Sequence, residues 1–434
     1  MTAQHPPQAT QATQAAQVTQ AKHTPRAPRI HPERLLQSLD DLARLGAIEG
    51  GGVCRLALTN ADELGRDWTV ARMQALGMAV TIDAIGNGVA IYAGTEDLPP
   101  VMIGSHIDTV RTSGRYDGSY GVLAGLEVIA TLRDAGLRTR RPIAVAFFTN
   151  AAGVRFQPDM MGSLVYAGSL PLADALAATS ADGTTVGAEL QRIGYSGQAP
   201  VGAPRVDSFV ELHIEQGPAL DLRDLRIGVV ESIQGISWME FRIDGMSNSA
   251  GTTPMDLRHD AGYAAMRIAN FVHDLALRYG DSQLGTVGAM RFEPNVINVI
   301  PERATFTVDL RNTDDQRLAQ AEAEVLAFAE QTCQAEILNL SYRLLARLEP
   351  VAFHPMVIDL IEQETASLGL SHMRMPSGAG HDAQMLAHLC PTGMIFVPSV
   401  KGLSHDVREF TEPDDLVNGA QILLQVVARL ANRP

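Results

Sequence analysis

One stretch, residues 99–156, constrains the fold of this chain more than any other. It holds two apolar runs separated by a glycine-rich loop and an amphipathic helical pattern. Strand, loop, helix and strand in this order predict a βαβ unit. Ligand sites in open α/β sheets form at the carboxyl ends of the strands. His106, Asp117 and the turn at 150–153 are therefore predicted to lie together at one sheet edge.

The residue types at that edge indicate metal chemistry. Imidazole and carboxylate groups brought together are ligands for zinc and similar divalent ions. Asp108 follows His106 by two residues, the spacing of a carboxylate that fixes the imidazole tautomer from outside the ligand shell. The alternative is that His106 and Asp108 form an ordinary loop hydrogen bond.

Two further histidines follow strand-like or glycine-rich segments. His213 closes the apolar run from residue 209, and His405 follows a glycine turn after the run 394–397. With His106 and Asp117, these motifs resemble the dinuclear zinc amidohydrolases that include N-carbamoyl-L-amino-acid hydrolase, β-ureidopropionase and allantoate amidohydrolase. The similarity covers residues 30–430.

The resemblance implies an α/β fold, with a mixed-sheet metallohydrolase catalytic domain and an inserted α+β lid and dimerisation domain. We expect the catalytic domain at 30–221 and 336–434 and the insert at 222–335. Alternation of apolar and polar residues around Phe241 and Phe306 independently predicts an antiparallel sheet covered on one face.

The resemblance also implies the metal ligands. One ion would be held by His106 and His213, the other by His405 and a glutamate, with Asp117 between them. Zinc or manganese would suit these groups, and so would cobalt or nickel.

Three positions depart from the family's pattern. The family's turn reads Thr-Asn-Glu-Glu-Gly, where the first Glu is the general base and the second a metal ligand, but this chain has Ala151 and Ala152. Ser249 stands where the family has a histidine that stabilises the oxyanion in the partner subunit's site. A methyl group can neither accept a proton nor coordinate an ion, so these roles are predicted to be unfilled.

Residues that contact substrate in the family are retained. Arg311 matches the family's clamp on the substrate carboxylate, which suits a planar fork of donors, and Gln216 and Asn298 match substrate-contacting amides. Without the resemblance, Arg311 is more simply a solvated side chain, and Gln216 a turn residue. A glycine turn with Gly378 and Ala379 leads to a helix start whose free N–H groups are predicted to receive an anion or a carbonyl oxygen.

Composition excludes several classes of partner. The net charge of −15 argues against nucleic acid and anionic membranes, both of which need clustered Lys and Arg. Three dispersed cysteines suit reduced thiols in a cytoplasmic protein. Residues 1–29 have almost no apolar side chains, and we expect a disordered tail.

Together these features predict a homodimeric amidohydrolase scaffold that cleaves the carbamoyl C–N bond of N-carbamoyl amino acids. With base, one ligand and oxyanion donor missing, we expect it to be inactive or nearly so. The alternative is a pseudoenzyme or binding protein that retains a small anionic ligand and at most one metal ion.

Overall fold

The computed structural model describes residues 1–2, 28–280 and 282–434. Most of the predicted disordered tail, residues 3–27, lies outside the described residues.

A mixed nine-stranded sheet forms the larger domain. Its strands are β1 (Ala79–Ile82), β2 (Gly88–Tyr92), β3 (Val101–His106), β4 (Ile143–Phe148), β5 (Ser208–Ile214), β6 (Ile227–Ile233), β12 (Val351–Ala352), β13 (His372–Ser377) and β14 (Thr392–Val397). The order is β1-β2-β4-β3-β5-β14-β6-β12, with β13 also paired to β6. Because β4, β3, β5 and β14 run parallel, their carboxyl ends share one edge. The predicted βαβ unit is confirmed as β3, a helix and β4.

Helices cover this sheet. They are α1 (Pro32–Ala43), α2 (Asn60–Ala75), α3 (Ser119–Asp134), α4 (Met161–Tyr166), α5 (Leu172–Ala177), α6 (Val186–Arg192), α7 (Ala219–Leu222), α10 (Pro355–Ser367), α11 (Asp382–Leu386) and α12 (Pro413–Ala431). Helices α3 and α12 pack against each other and against β3 and β5, and α11 packs against β5 and β14. Strands β3, β4, β5 and β14 are buried along their whole length, which explains their continuous apolar sequences.

The smaller domain, called the lid domain below, has its own antiparallel sheet. Its strands are β7 (Gly235–Asp244), β8 (Leu284–Thr286), β9 (Met290–Glu293), β10 (Arg303–Asn312) and β11 (Asn339–Leu348). Helices α8 (Ala261–Tyr279) and α9 (Asp315–Ala335) cover one face. Buried and partly exposed residues alternate along β7 and β10, as the sequence predicted, and the buried ones form a separate core with Phe241 stacked on Phe306 at 5.3 Å.

The structure shifts the predicted domain boundaries. Strand β6 lies in the large sheet, although it falls inside the predicted 222–335 insert. Strand β11 lies in the lid sheet, although it falls inside the predicted catalytic segment 336–434. The lid domain therefore runs from 235 to 348. A strand belongs to the sheet with which it forms hydrogen bonds. The boundaries differ from the prediction because the composition of a strand does not indicate its pairing partner.

Among the described residues, no helix has the length and the apolar character needed to cross a membrane.

Candidate functional site

A cavity of about 650 Å³ lies between the two domains at the carboxyl ends of the parallel strands. This volume is in the range of small-molecule sites. Most of the predicted site residues line it: His106, Asp117, Ala151, Ala152, His213, Gln216, Arg311, Ala379 and His405.

Three imidazoles converge on the carboxylate of Asp117. Its Oδ1 lies 3.7 Å from His106 Nε2 and 3.3 Å from His213 Nε2, and its Oδ2 lies 3.3 Å from His405 Nε2. His106 ends β3, His213 lies near the end of β5, and His405 follows β14, so the shared sheet edge positions all three. Asp117 comes from the loop before α3.

The electrostatics of this cluster follow from burial and proximity. Burial disfavours the charged form of Asp117, but the adjacent imidazoles of His213 and His405 hold its pKa well below the usual range. Burial likewise opposes protonation of His106 and His213, yet neighbouring carboxylates raise the pKa of both. The hydrogen bond to Asp117 raises the pKa of His405.

The hydrogen bonds of Nδ1 in His106 and His213, on the side of each ring away from Asp117, show whether the cluster can bind a cation. His106 Nδ1 lies 2.9 Å from the backbone oxygen of Asp108, and His213 Nδ1 lies 2.9 Å from that of Ile214. A carbonyl oxygen only accepts, so each Nδ1 carries the proton and Nε2 of the neutral ring offers a lone pair toward Asp117. A cation that binds His213 would replace an existing contact of this lone pair, the Gly118 N–H that donates to His213 Nε2 at 3.1 Å. Lone pairs of nitrogen and oxygen that face one another over 3.3–3.7 Å are a donor set that suits a divalent cation.

Asp108 has a different contact from the one predicted. Its backbone carbonyl, and not its carboxylate, holds the His106 ring. The carboxylate accepts from the backbone N–H of Ala151 at 3.2 Å and of Ala152 at 3.1 Å. Asp108 therefore anchors the turn on which the two alanines face the cavity.

A second group of potential ligands lies behind the first. Glu211, His213 and His381 place their ligand atoms within 4.8 Å of one another. Glu211, however, accepts from Ser105 Oγ and from the Ala383 N–H, both at 2.8 Å. Burial, reinforced by the charge of Asp382, raises the pKa of Glu211. Because both of its oxygens already accept hydrogen bonds, Glu211 is less available to a cation than Asp117.

The same contact corrects one expectation. The start of α11 was predicted to offer free N–H groups to an anion or a carbonyl oxygen, but the Ala383 N–H is occupied by Glu211. The Ala379 N–H donates to Ser377 Oγ at 3.1 Å. Gly378 takes part through its carbonyl oxygen, which accepts from Arg311 Nη1 at 3.0 Å.

Four predicted site residues are not among those that line the cavity of their own chain. Asp108 and Gly378 contact lining residues, Ala151 and Arg311. Ser249 and Asn298 do not line it either. They belong to adjacent lid-domain segments, where Ser249 bridges to Val299 and the Ala250 N–H donates to the Asn298 carbonyl at 3.0 Å.

Gln216 and His405 share a contact and an unusual backbone. Gln216 Nε2 lies 3.0 Å from Ser404 Oγ and 3.3 Å from His405 Nε2. Both residues have left-handed backbones, with φ of 59° and 55°, a conformation that is strained for any residue with a Cβ.

Several lining residues were not predicted as site residues. They are Gln157, Pro158, Asp159, Met160, Ile236, Trp238, Leu345, Ala346, Leu348, Gly380, His381 and Gln384. Behind the site, Glu409 accepts from the backbone N–H groups of Tyr116 and Asp117 at 3.2 and 3.3 Å. Gly380 and His381 had a local signal, from the glycine turn at 378–380. The residues of β7 and β11 reach the site through tertiary pairing.

Known proteins share this architecture and sequence. The sequence model of the family described as "Peptidase family M20/M25/M40" matches residues 102–429 of this chain. The N-carbamoyl-L-amino-acid amidohydrolase of Rhizobium meliloti is 39% identical over 93% of this chain and 97% of its own length. The ureidoglycolate hydrolase of Arabidopsis thaliana is 33% identical over 92% of this chain and 86% of its own. The crystal structure of a hydantoinase/carbamoylase family amidase from Burkholderia multivorans is 42% identical, covers 94% of this chain and 100% of that one, and has a TM-score of 0.92.

The chain therefore belongs to the M20/M25/M40 peptidase family. Within that family it is of the hydantoinase/carbamoylase amidohydrolase type.

Proposed function

We propose that this chain is an amidohydrolase scaffold for the carbamoyl C–N bond of N-carbamoyl amino acids, with turnover abolished or nearly so. One observation carries the proposal: a single cavity holds the cluster of His106, Asp117, His213 and His405 together with Arg311, whereas the turn between them presents only methyl groups. Ligand positioning is thus retained, whereas the carboxylate that accepts the proton in the family is absent at position 151.

Different residues bind different parts of the ligand. Arg311 holds the carboxylate through charge-assisted hydrogen bonds. Gln216 donates an amide hydrogen to the ureido group, Asn298 of a second copy donates another, and the Gly378–Ala379 turn borders it. A divalent cation held by Asp117 and the three histidines would supply Lewis acidity toward the ureido carbonyl.

The missing groups set the expected rate. A general base contributes roughly 10²–10⁴ in rate, and Ala151 cannot accept a proton. One oxyanion donor contributes about 10²–10³, and the Ser249 side chain is too short for the reach of the family's histidine. Even when these effects are less than additive, release of free amino acid from N-carbamoyl substrates should be indistinguishable from the uncatalysed rate in a chromatographic assay. Turnover of several per second would contradict the proposal.

Metal content is expected to be at most about one ion per chain. His106, Asp117 and His213 form a three-ligand site, while the second position keeps Asp117 and His405 only, because Ala152 has no ligand atom. Elemental analysis after gel filtration measures the ratio.

His213→Ala should remove the bound ion, and His388→Ala, an exposed histidine outside the cavity, should leave it unchanged. Two tightly held ions per chain would show that another group replaces the missing carboxylate.

The chain is expected to be a homodimer through the lid domain. The loops that carry Ser249 and Asn298 expose large apolar side chains to water: Met255 is 77%, Val296 49% and Ile297 fully exposed. A second copy that covers them would bring Asn298 toward the neighbouring cavity. The exposed apolar surface of these loops supports the proposed self-association, because a second copy would remove it from water.

Ile297→Asp should therefore weaken the dimer at least about tenfold, because a charge replaces a buried apolar group. Sedimentation equilibrium measures the dissociation constant. Leu389→Asp, at a 47% exposed leucine of the larger domain, is the matched control. A parent chain that sediments only as a 46.6 kDa species at micromolar concentration would refute the dimer.

A binding protein is the second candidate, favoured by the retention of Arg311, Gln216 and Asn298. In that case the chain binds N-carbamoyl amino acids, and restoring the missing groups does not produce hydrolysis.

A further inference from the structure

The lid sheet turns its open face toward the cavity, and strand register orders the side chains on that face. Arg311 of β10 lies opposite Ile236 of β7, which lies opposite Leu348 of β11. In the next row on the same face, Asp309 lies opposite Trp238. Each row thus begins with a charged residue on β10 and continues with apolar residues on the strands beside it.

A β-bulge enlarges the apolar part. The pairing of β11 with β7 slips between Leu344 and Ala346, so Leu345 is an extra residue beside Trp238. Ile236, Trp238, Leu345 and Leu348 all line the cavity, and we call these four residues the lid strip. Trp238 is 41%, Leu345 44% and Leu348 37% exposed, so large apolar surfaces remain uncovered inside the cavity.

Arg311 has one edge left for a ligand. Its Nε lies 3.1 Å from Asp309 Oδ1 and its Nη2 2.9 Å from Asp309 Oδ2, so Asp309 occupies the side of the guanidinium. Nη1 donates to the Gly378 carbonyl at 3.0 Å. A guanidinium has five N–H donors, and the two that remain are one on Nη1 and one on Nη2. These two N–H groups remain for a ligand carboxylate, which a guanidinium binds through charge-assisted hydrogen bonds.

Neighbouring strands lie about 4.8 Å apart, so the lid strip begins one strand away from Arg311. The Arg311 side chain and the lid strip thus stand side by side on one face of the sheet, so a ligand whose carboxylate is held by Arg311 can place a neighbouring substituent on the strip. We propose that the ligand is an N-carbamoyl α-amino acid with a large apolar side chain, its carboxylate on the end of Arg311 and its side chain on the lid strip. This inference rests on the proposed function and narrows it.

The chemistry disfavours the other ureido compounds of this family type. Ureidoglycolate and allantoate carry polar substituents next to the carboxylate, and β-ureidopropionate carries none. None of them has an apolar group to cover the strip.

Isothermal titration of the full chain, with Mn²⁺ present, tests the inference using N-carbamoyl-L-phenylalanine and N-carbamoylglycine. The phenylalanine derivative should bind at least about tenfold more tightly, from burial of its ring. Trp238→Thr removes the indole ring and places a β-branched residue, which suits a strand, at this position. Leu348→Ala shortens a side chain in the edge strand β11. Each should reduce the affinity for the phenylalanine derivative several-fold relative to the affinity for N-carbamoylglycine.

Leu64→Ala on α2 is the matched control, because Leu64 is 55% exposed and does not line the cavity. It should leave both affinities unchanged. Circular dichroism and the melting midpoint establish that each variant folds, and Leu348→Ala serves if Trp238→Thr does not.

Equal affinities for the two ligands in the parent chain would overturn the lid-strip inference alone. A preference that survives both substitutions would also overturn it, and would favour a lid strip that only packs against the larger domain. Binding of neither ligand by the parent chain would overturn the proposed function together with this inference.

Discussion

Ala151→Glu combined with Ala152→Glu is expected to produce hydrolysis of N-carbamoyl amino acids at a rate roughly 10²–10⁴ above that of the parent chain, the scale of a general base. The turn is already anchored, because Asp108 accepts from both backbone N–H groups, and both alanines line the cavity. New carboxylates would therefore lie beside Asp117 without a backbone change. Release of free amino acid measures the rate, and elemental analysis should give a second ion per chain.

Ser249→His added to this pair should raise the rate about a further 10²-fold, the scale of one oxyanion contact. Ala152→Glu alone is the informative control, since it should recover metal but little turnover without a base. A triple variant that is folded and metal-loaded yet hydrolyses no carbamoyl, ureido or N-acyl substrate would rule out the hydrolase scaffold and leave the binding protein.

Arg66→Met is expected to lower the free energy of unfolding by about 3–5 kcal/mol, because it leaves a buried carboxylate unpaired. The Arg66 side chain is 1% exposed, and its Nε lies 2.7 Å from Oδ2 of the fully buried Asp62. Its Nη1 donates to the Gly86 carbonyl at 2.7 Å and its Nη2 to Thr149 Oγ1 at 3.2 Å, beside the alanine turn.

Urea unfolding followed by circular dichroism measures this loss. Arg44→Met, at a side chain that is 72% exposed, should change stability by less than about 0.5 kcal/mol. A loss under 1 kcal/mol for Arg66→Met would mean that Asp62 is neutral or reaches solvent.

The sequence was informative wherever structure depends on neighbours in the chain. The βαβ unit follows from apolar runs and their spacing, and parallel strands necessarily bring the residues after His106 and His213 to one edge. The alternating pattern in β7 and β10 likewise predicts a sheet with one covered face.

Features that depend on pairing between distant segments could not be predicted. No local pattern marks β11 as a lid strand or places a bulge at Leu345. Glu409 lies almost three hundred residues from Asp117, and only the closed fold brings its carboxylate to the Asp117 backbone N–H.

At Gln216 and His405, two residues that line the cavity, the left-handed backbone lowers stability, while their side chains serve ligand contact. Such a conformation costs on the order of 1–3 kcal/mol for a non-glycine residue, and glycine would relieve most of it. Glycine would also delete the amide or the imidazole that faces the ligand. Laboratory selection for heat resistance alone would therefore recover glycine at these two positions, whereas selection for binding would keep the strained side chains.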